Sequence, residues 1–127
     1  MARLLVVEDN AANMKLTCLL LRNAGHTVLC ADDAETGLTL ARAEQPDLIL
    51  MDIQLPGMDG LAATALLKQD PVTAAIPVIA LTAMAMKADR EKTRVAGCDG
   101  YIAKPLRYEE LYAAIDSLLV KRGPQAP

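Results

Sequence analysis

Apolar residues gather in short runs along this chain, and four of the runs stop at a polar residue. Leu4-Val7 stops at Glu8-Asp9, Leu48-Met51 at Asp52, Val78-Leu81 at Thr82 and Tyr101-Ala103 at Lys104. Short apolar runs bounded by turn residues suit buried strands, and the stretches between them carry helical spacing. Residues 3–8 predict a first strand. Asn10 is placed to cap a helix that turns Met14, Cys18 and Leu21 to one face and ends at Gly25. His26-Ala31 predicts the second strand, and Asp32 with Glu35 has the spacing of a capping box for a helix that Pro46 stops. Asp47-Asp52 forms a third strand, followed by a loop turned by Pro56-Gly57 and a helix over Gly60-Gln69. Ile76-Leu81 and Gly100-Ala103 supply two more strands around a polar-rich helix over Met84-Ala96. In the last helix Tyr108, Leu111, Tyr112, Ile115, Leu118 and Leu119 follow the helical period.

Strands alternating with helices in this way imply right-handed βαβ units and a parallel sheet. The first, third and fourth runs are apolar throughout, as strands covered on both faces are. The second run mixes polar residues and the fifth is short, so both belong at the edges. The fold class predicted is therefore α/β, a doubly wound five-stranded parallel sheet with five helices in the flavodoxin-like order 2-1-3-4-5. Ligands of such sheets sit outside the carboxyl ends of the strands, at the switch point between strands one and three. Asp9 and Asp52 face each other there.

Composition narrows the class. The 127 residues are 53% hydrophobic and 23% charged, with a net charge of -3 and no Phe or Trp. That is a single domain over residues 1–121, with 122–127 a flexible tail, and its acidic balance argues against nucleic acid. No apolar stretch reaches the ~20 residues of a membrane helix and no signal-peptide pattern opens the chain, so it reads as cytoplasmic. Cys18, Cys30 and Cys98 are far apart along the chain and read as buried thiols, not as a disulfide framework or metal ligands.

The strand-end residues carry the chemistry. Two carboxylates ~4 Å apart repel by about 1 to 4 kcal/mol, and a third deepens the cost of an empty pocket. Oxygen ligands without His or Cys favour Mg²⁺ over zinc. A metal beside a carboxylate, a hydroxyl and an ammonium handles phosphoryl groups, and Asp52 is the carboxylate placed as nucleophile. Taken singly, each residue has a more ordinary role open to it. Asp52 serves equally as a turn cap, Glu8-Asp9 as a solvated acidic turn, Thr82 as a helix cap, Lys104 as a surface lysine and Tyr101 as an edge-strand aromatic. His26 reads as a surface strand residue, and Met58, Met84 and Met86 as gap-fillers.

Taken together, Val6-Val7-Glu8-Asp9-Asn10, Leu50-Met51-Asp52, Leu55-Pro56-Gly57-Met58-Asp59-Gly60, Leu81-Thr82-Ala83 and Tyr101-Ile102-Ala103-Lys104-Pro105 resemble a response-regulator receiver domain of two-component signalling, with a CheY-like fold. Asn13-Met14-Lys15, Met51-Asp52-Ile53-Gln54-Leu55-Pro56 and Ala85-Met86-Lys87 are most similar to single-domain regulators of the DivK kind, and similar segments occur in receiver domains attached to hybrid histidine kinases. The resemblance implies that Asp52 accepts a phosphoryl group from a histidine kinase or histidine phosphotransfer protein. Asp9 and Asp52 bind Mg²⁺, Glu8 acts mainly through water, and the backbone carbonyl of Gln54 completes the shell. Thr82 and Lys104 contact phosphoryl oxygens, Lys104-Pro105 is a cis peptide, against ~5% of such bonds generally, and Tyr101 turns inward as Thr82 moves.

The polar helix over Met84-Ala96 has a thin apolar face of Met84, Ala88 and Val95, so it predicts a movable partner surface over residues 84–121. Met84 cannot orient an attacking water, which predicts slow loss of phosphate. An aspartate-nucleophile phosphohydrolase is the competing enzyme class, but it resembles a D-x-D arrangement and Gln54 stands at the second position after Asp52. The same residues also suit a receiver excised from a hybrid histidine kinase, and the fold alone suits an interaction module that is never phosphorylated. A dinucleotide site fails because no Gly-rich loop follows the first strand.

Overall fold

Each strand sends alternate side chains to opposite faces, and both faces are apolar. In the computed structural model, which describes residues 2–83 and 87–121, the elements run β1 (Arg3–Val7), α1 (Ala11–Asn23), β2 (Thr27–Ala31), α2 (Ala34–Glu44), β3 (Leu48–Asp52), α3 (Gly60–Gln69), β4 (Val78–Thr82), α4 (Lys87–Ala96), β5 (Gly100–Ala103) and α5 (Tyr108–Lys121). All strand pairs are parallel and the order is β2-β1-β3-β4-β5. Leu5, Val7, Ile49, Met51 and Val78 pack with Ala34, Ala41, Ala63 and Leu67 of α2 and α3. On the other face Leu4, Val6, Leu48, Leu50, Ile79, Leu81 and Ile102 pack with Leu21, Leu111 and Ile115 of α1 and α5. Burying a Leu or Ile side chain contributes about 1.5 to 3 kcal/mol, so these two aliphatic layers stabilise the fold without Phe or Trp.

The helix caps fix how the chain leaves the strands. Asn10 Oδ1 accepts from the Asn13 amide at 2.9 Å and Asp59 Oδ1 from the Ala62 amide at 2.8 Å, starting α1 and α3 beside the carboxyl edge of the sheet. The cap of α2 is Asp33, not Asp32: Asp33 Oδ1 accepts from the Thr36 amide at 2.7 Å. Adjacent aspartates offer the same side chain, and the phase of Ala34, Gly37 and Ala41, which must face the sheet, selects the second. β2 starts at Thr27, and β4 starts at Val78, just after Pro77, and runs through Thr82.

Two expectations about burial are corrected. On α4 the buried residue is Thr93, while Ala88 is exposed and Val95 is 73% exposed, because the helix is phased to set Thr93 inward. Tyr108 is also exposed, resting edge-on against Tyr112, whose hydroxyl donates to the Leu20 carbonyl at 2.7 Å. The helical expectations for Met84, Ala85 and Met86, the gap-filling and hydrolysis roles of Met84 and Met86, and the flexible tail over 122–127 lie outside the described residues. No described helix is long and apolar enough to cross a membrane.

Candidate phosphoryl-transfer site

The parallel register that pairs Val7 with Met51 sets the next residues, Glu8 and Asp52, level with each other. Glu8 lies just past β1, its amide donating to Ala31 at 3.0 Å, and its residue is 1% exposed. Asp52 closes β3 and is 3% exposed, whereas Asp9 is exposed. Thr82 closes β4 and is buried, and its backbone carbonyl accepts from the Lys104 amide at 2.7 Å. That contact extends the parallel β4-β5 pairing to Lys104, and the Lys104-Pro105 peptide bond that follows is cis.

One cation joins the buried acids. Lys104 Nζ donates to Glu8 Oε1 at 2.8 Å and to Asp52 Oδ2 at 3.1 Å. The second oxygen of each carboxylate accepts a backbone amide, Asn10 at 3.2 Å for Glu8 and Gln54 at 3.0 Å for Asp52. Burial pushes the Glu8 carboxyl up, reinforced by the neighbouring Asp52 and only partly opposed by Lys104 and the Asn10 amide. Burial also pulls the Lys104 ammonium down, but its hydrogen bonds to Glu8 and then Asp52 more than offset this, so it is held above the ordinary lysine value.

These directions fix the pH behaviour. Across the window from the ordinary Glu value of 4.5 to its raised value, folded Glu8 holds a proton that the unfolded chain releases, so its part in stability weakens as pH rises. Lys104 has the same sign in a higher window: its stabilisation is complete below 10.5 and is lost as pH rises through the raised value.

The site also has the donors for a hard cation. Glu8, Asp9 and Asp52 each bring a carboxylate oxygen within 4.8 Å of the others, with no Cys or His in the group. Oxygen-only donors with one exposed member suit a hydrated Mg²⁺, which keeps several waters. Because the Glu8 carboxyl is pushed up and a metal competes with its proton, Mg²⁺ affinity is expected to fall as the pH is lowered from about 7.5 to about 5. Mg²⁺-induced stabilisation at the two pH values measures it, and an affinity unchanged across that range would contradict it.

Of the other residues singled out in the sequence, Gln54 sits in the loop after β3 with its side chain exposed, and its amide is what reaches Asp52. Tyr101 lies half-buried on β5, level with Ala80, and the Arg90 guanidinium sits over its ring at 5.3 Å. Ala83, beyond Thr82, is exposed. His26 precedes β2 at the opposite end of the sheet, where its Nδ1 accepts from the Ala2 amide at 3.3 Å. Gly60 has a structural duty that its place after Asp59 did not reveal: a Cβ there would lie 2.1 Å from the Asp52 carbonyl oxygen. Only the returning loop's close approach to β3, sealed by the Gly60 amide donating to Ile53 at 2.9 Å, exposes that duty.

The family model for the response regulator receiver domain matches residues 4–116. The chain belongs to that family. Its members are signalling domains of two-component systems, and the receiver fold found here has the predicted strand order. The polar-differentiation response regulator DivK of Brucella anthropi is 46% identical over 115 residues, 91% of this chain and 94% of that protein. The receiver domain of a sensor histidine kinase from Pseudomonas aeruginosa PAO1 superimposes with a TM-score of 0.87 at 35% identity, covering 93% of this chain and 97% of that one, and is described with magnesium coordinated in its active site cleft. A CheY-like receiver domain protein from Methanospirillum hungatei JF-1 gives a TM-score of 0.88 at 29% identity, with 96% of each chain covered.

Proposed function

We propose that this receiver domain takes a phosphoryl group onto Asp52 from a phosphohistidine of a histidine kinase or a histidine phosphotransfer protein. The observation that carries this reading is the buried Glu8-Asp52 pair with Lys104 bonded to both, set beside Asp9 at the carboxyl edge of the sheet. An Asp52 carboxylate oxygen attacks phosphorus, the N–P bond breaks and the imidazole leaves with the electron pair. The Gln54 amide and Lys104 hold Asp52 in place before transfer. Lys104 then pairs with a phosphoryl oxygen, and the Thr82 hydroxyl binds another. Glu8, Asp9, Asp52 and the Gln54 carbonyl would hold Mg²⁺, which when bound neutralises the charge that develops on the phosphoryl oxygens.

The signal passes through Tyr101 and the α4-β5-α5 side, over residues 84–121, to a downstream protein target. Support comes from the sparse burial of α4, where Thr93 is the buried residue, and from Tyr101 standing between Arg90 and the strand that ends in Thr82. In this reading the protein is a cytoplasmic, stand-alone regulator of the DivK kind, its likeness to that relative resting on 46% identity over 115 residues. The apparent mass of the native polypeptide in cell extract separates it from a receiver within a hybrid kinase.

Incubation with phosphoramidate, a small donor with an N–P bond, tests the chemistry without a cognate kinase. Phosphoryl transfer is expected with Mg²⁺ and is expected to vanish with excess chelator. Equal labelling in chelator would overturn the metal-assisted reading.

A further inference from the structure

Two of the three thiols, twelve residues apart, meet where α1 packs on the edge strand. Cys18 Sγ on α1 and Cys30 Sγ on β2 lie 3.2 Å apart. Cys18 is buried and Cys30 exposed, so the expectation of three separate buried thiols is corrected. They meet because α1 runs back along β1 and the chain reverses again into β2, bringing a residue in mid-helix level with one near the end of that strand. Cys30 also lines a cavity of about 520 Å³ whose wall includes Glu8, Asp9 and Lys15.

We propose that Cys18 and Cys30 form a reversible oxidation site, closed to an intramolecular disulfide by hydrogen peroxide. The sulfurs need to approach by roughly 1 Å to reach the ~2 Å bond length. Cys30, open to the cavity, is the thiol that a dissolved oxidant reaches. Its sulfur attacks one peroxide oxygen, the O–O bond breaks, and the products are a sulfenic acid and water. Cys18 sulfur then attacks the sulfenyl sulfur, the S–O bond breaks, and a second water leaves with the remaining thiol hydrogen. Both sulfurs are oxidised and the peroxide is reduced to two waters. Burial, with Cys30 beside it, pushes the Cys18 thiol up to about 12, which keeps it protonated and leaves first contact with bulk oxidant to Cys30; the 3.2 Å separation is what brings Cys18 to the second step. The product ties α1 to β2, a strand paired on one side alone, at the wall that also carries two of the pocket acids.

Cys98 provides an internal control. It packs among the α2 and α3 residues on the opposite face of the sheet, with its sulfur 3.9 Å from Thr64 Oγ1. The reduced protein is treated with hydrogen peroxide and followed by intact mass, thiol titration and non-reducing peptide mapping. The mass is expected to fall by two hydrogens, one titratable thiol is expected to remain, and the map is expected to join Cys18 to Cys30. Dithiothreitol should restore all three thiols. Cys30→Ser is expected to abolish the mass loss, whereas Cys98→Ser retains it. Survival of every thiol, arrest of Cys30 as a sulfinic acid, or a covalent dimer as the main product would overturn the proposal.

Discussion

Replacing Lys104 with alanine is expected to destabilise the Mg²⁺-free protein by about 3 kcal/mol at neutral pH. The Glu8 and Asp52 side chains are 1% and 4% exposed, and the Lys104 ammonium is bonded to both at 2.8 and 3.1 Å. Removing it leaves two buried carboxylates facing each other, each with a single backbone amide against its charge. Protonation of Glu8, whose carboxyl is already pushed up, limits the loss. The variant should therefore recover stability as pH falls toward the ordinary Glu range, and also on addition of Mg²⁺, whose binding to the folded form alone contributes about 2.7 kcal/mol at a hundredfold excess over Kd. Urea unfolding with and without Mg²⁺ checks this. A loss below about 1 kcal/mol, the range of an exposed ion pair, would show that Lys104 does not hold the acids together.

Gly60→Ala is expected to cost about 3 kcal/mol or more and to impair phosphoryl transfer as well. The added carbon would sit 2.1 Å from the Asp52 carbonyl oxygen, 2.8 Å from the Ile53 Cα and 2.9 Å from the Asp52 carbonyl carbon. All three are backbone atoms of the strand end that positions the acceptor carboxylate, so relief comes only by moving β3 or the start of α3. Gly57→Ala is the informative companion. It has a φ of +73° but nothing within 4 Å of the added carbon, so it should cost only the about 1 to 2 kcal/mol of left-handed backbone strain and leave Asp52 in place. Denaturant midpoints and phosphoryl labelling of the two variants separate the effects. Equal behaviour would mean that the contact with Asp52 is unimportant.

The sheet was readable because strand burial leaves a direct mark: runs such as Leu48-Met51 are apolar at every position only when both faces are covered. Strand direction was readable from where the polar residues fell, and this alone brought Glu8, Asp9, Asp52, Thr82 and Lys104 to one edge. Local choices were less visible. Asp32 and Asp33 have the same capping chemistry, and helix phase alone decides between them. Val95 looked inward-facing by hydropathy, but Thr93 sits in that place with its hydroxyl donating to the Arg90 carbonyl at 2.7 Å, which removes the cost of burying it. Contacts between elements were hardest to foresee. The meeting of Cys18 with Cys30 and the clash that forbids a side chain at Gly60 depend on how two segments return to the same place, and neither residue type announces it.

The location of the transferred phosphoryl group tests the account most directly. The protein, phosphorylated in Mg²⁺ by a phosphohistidine donor, is digested and mapped by mass, with Asp52→Asn treated in parallel. A single phosphoryl group on Asp52, absent from the variant, is the expected result. A phosphoryl group on any other residue of the wild-type protein, or equal labelling of Asp52→Asn, would contradict it.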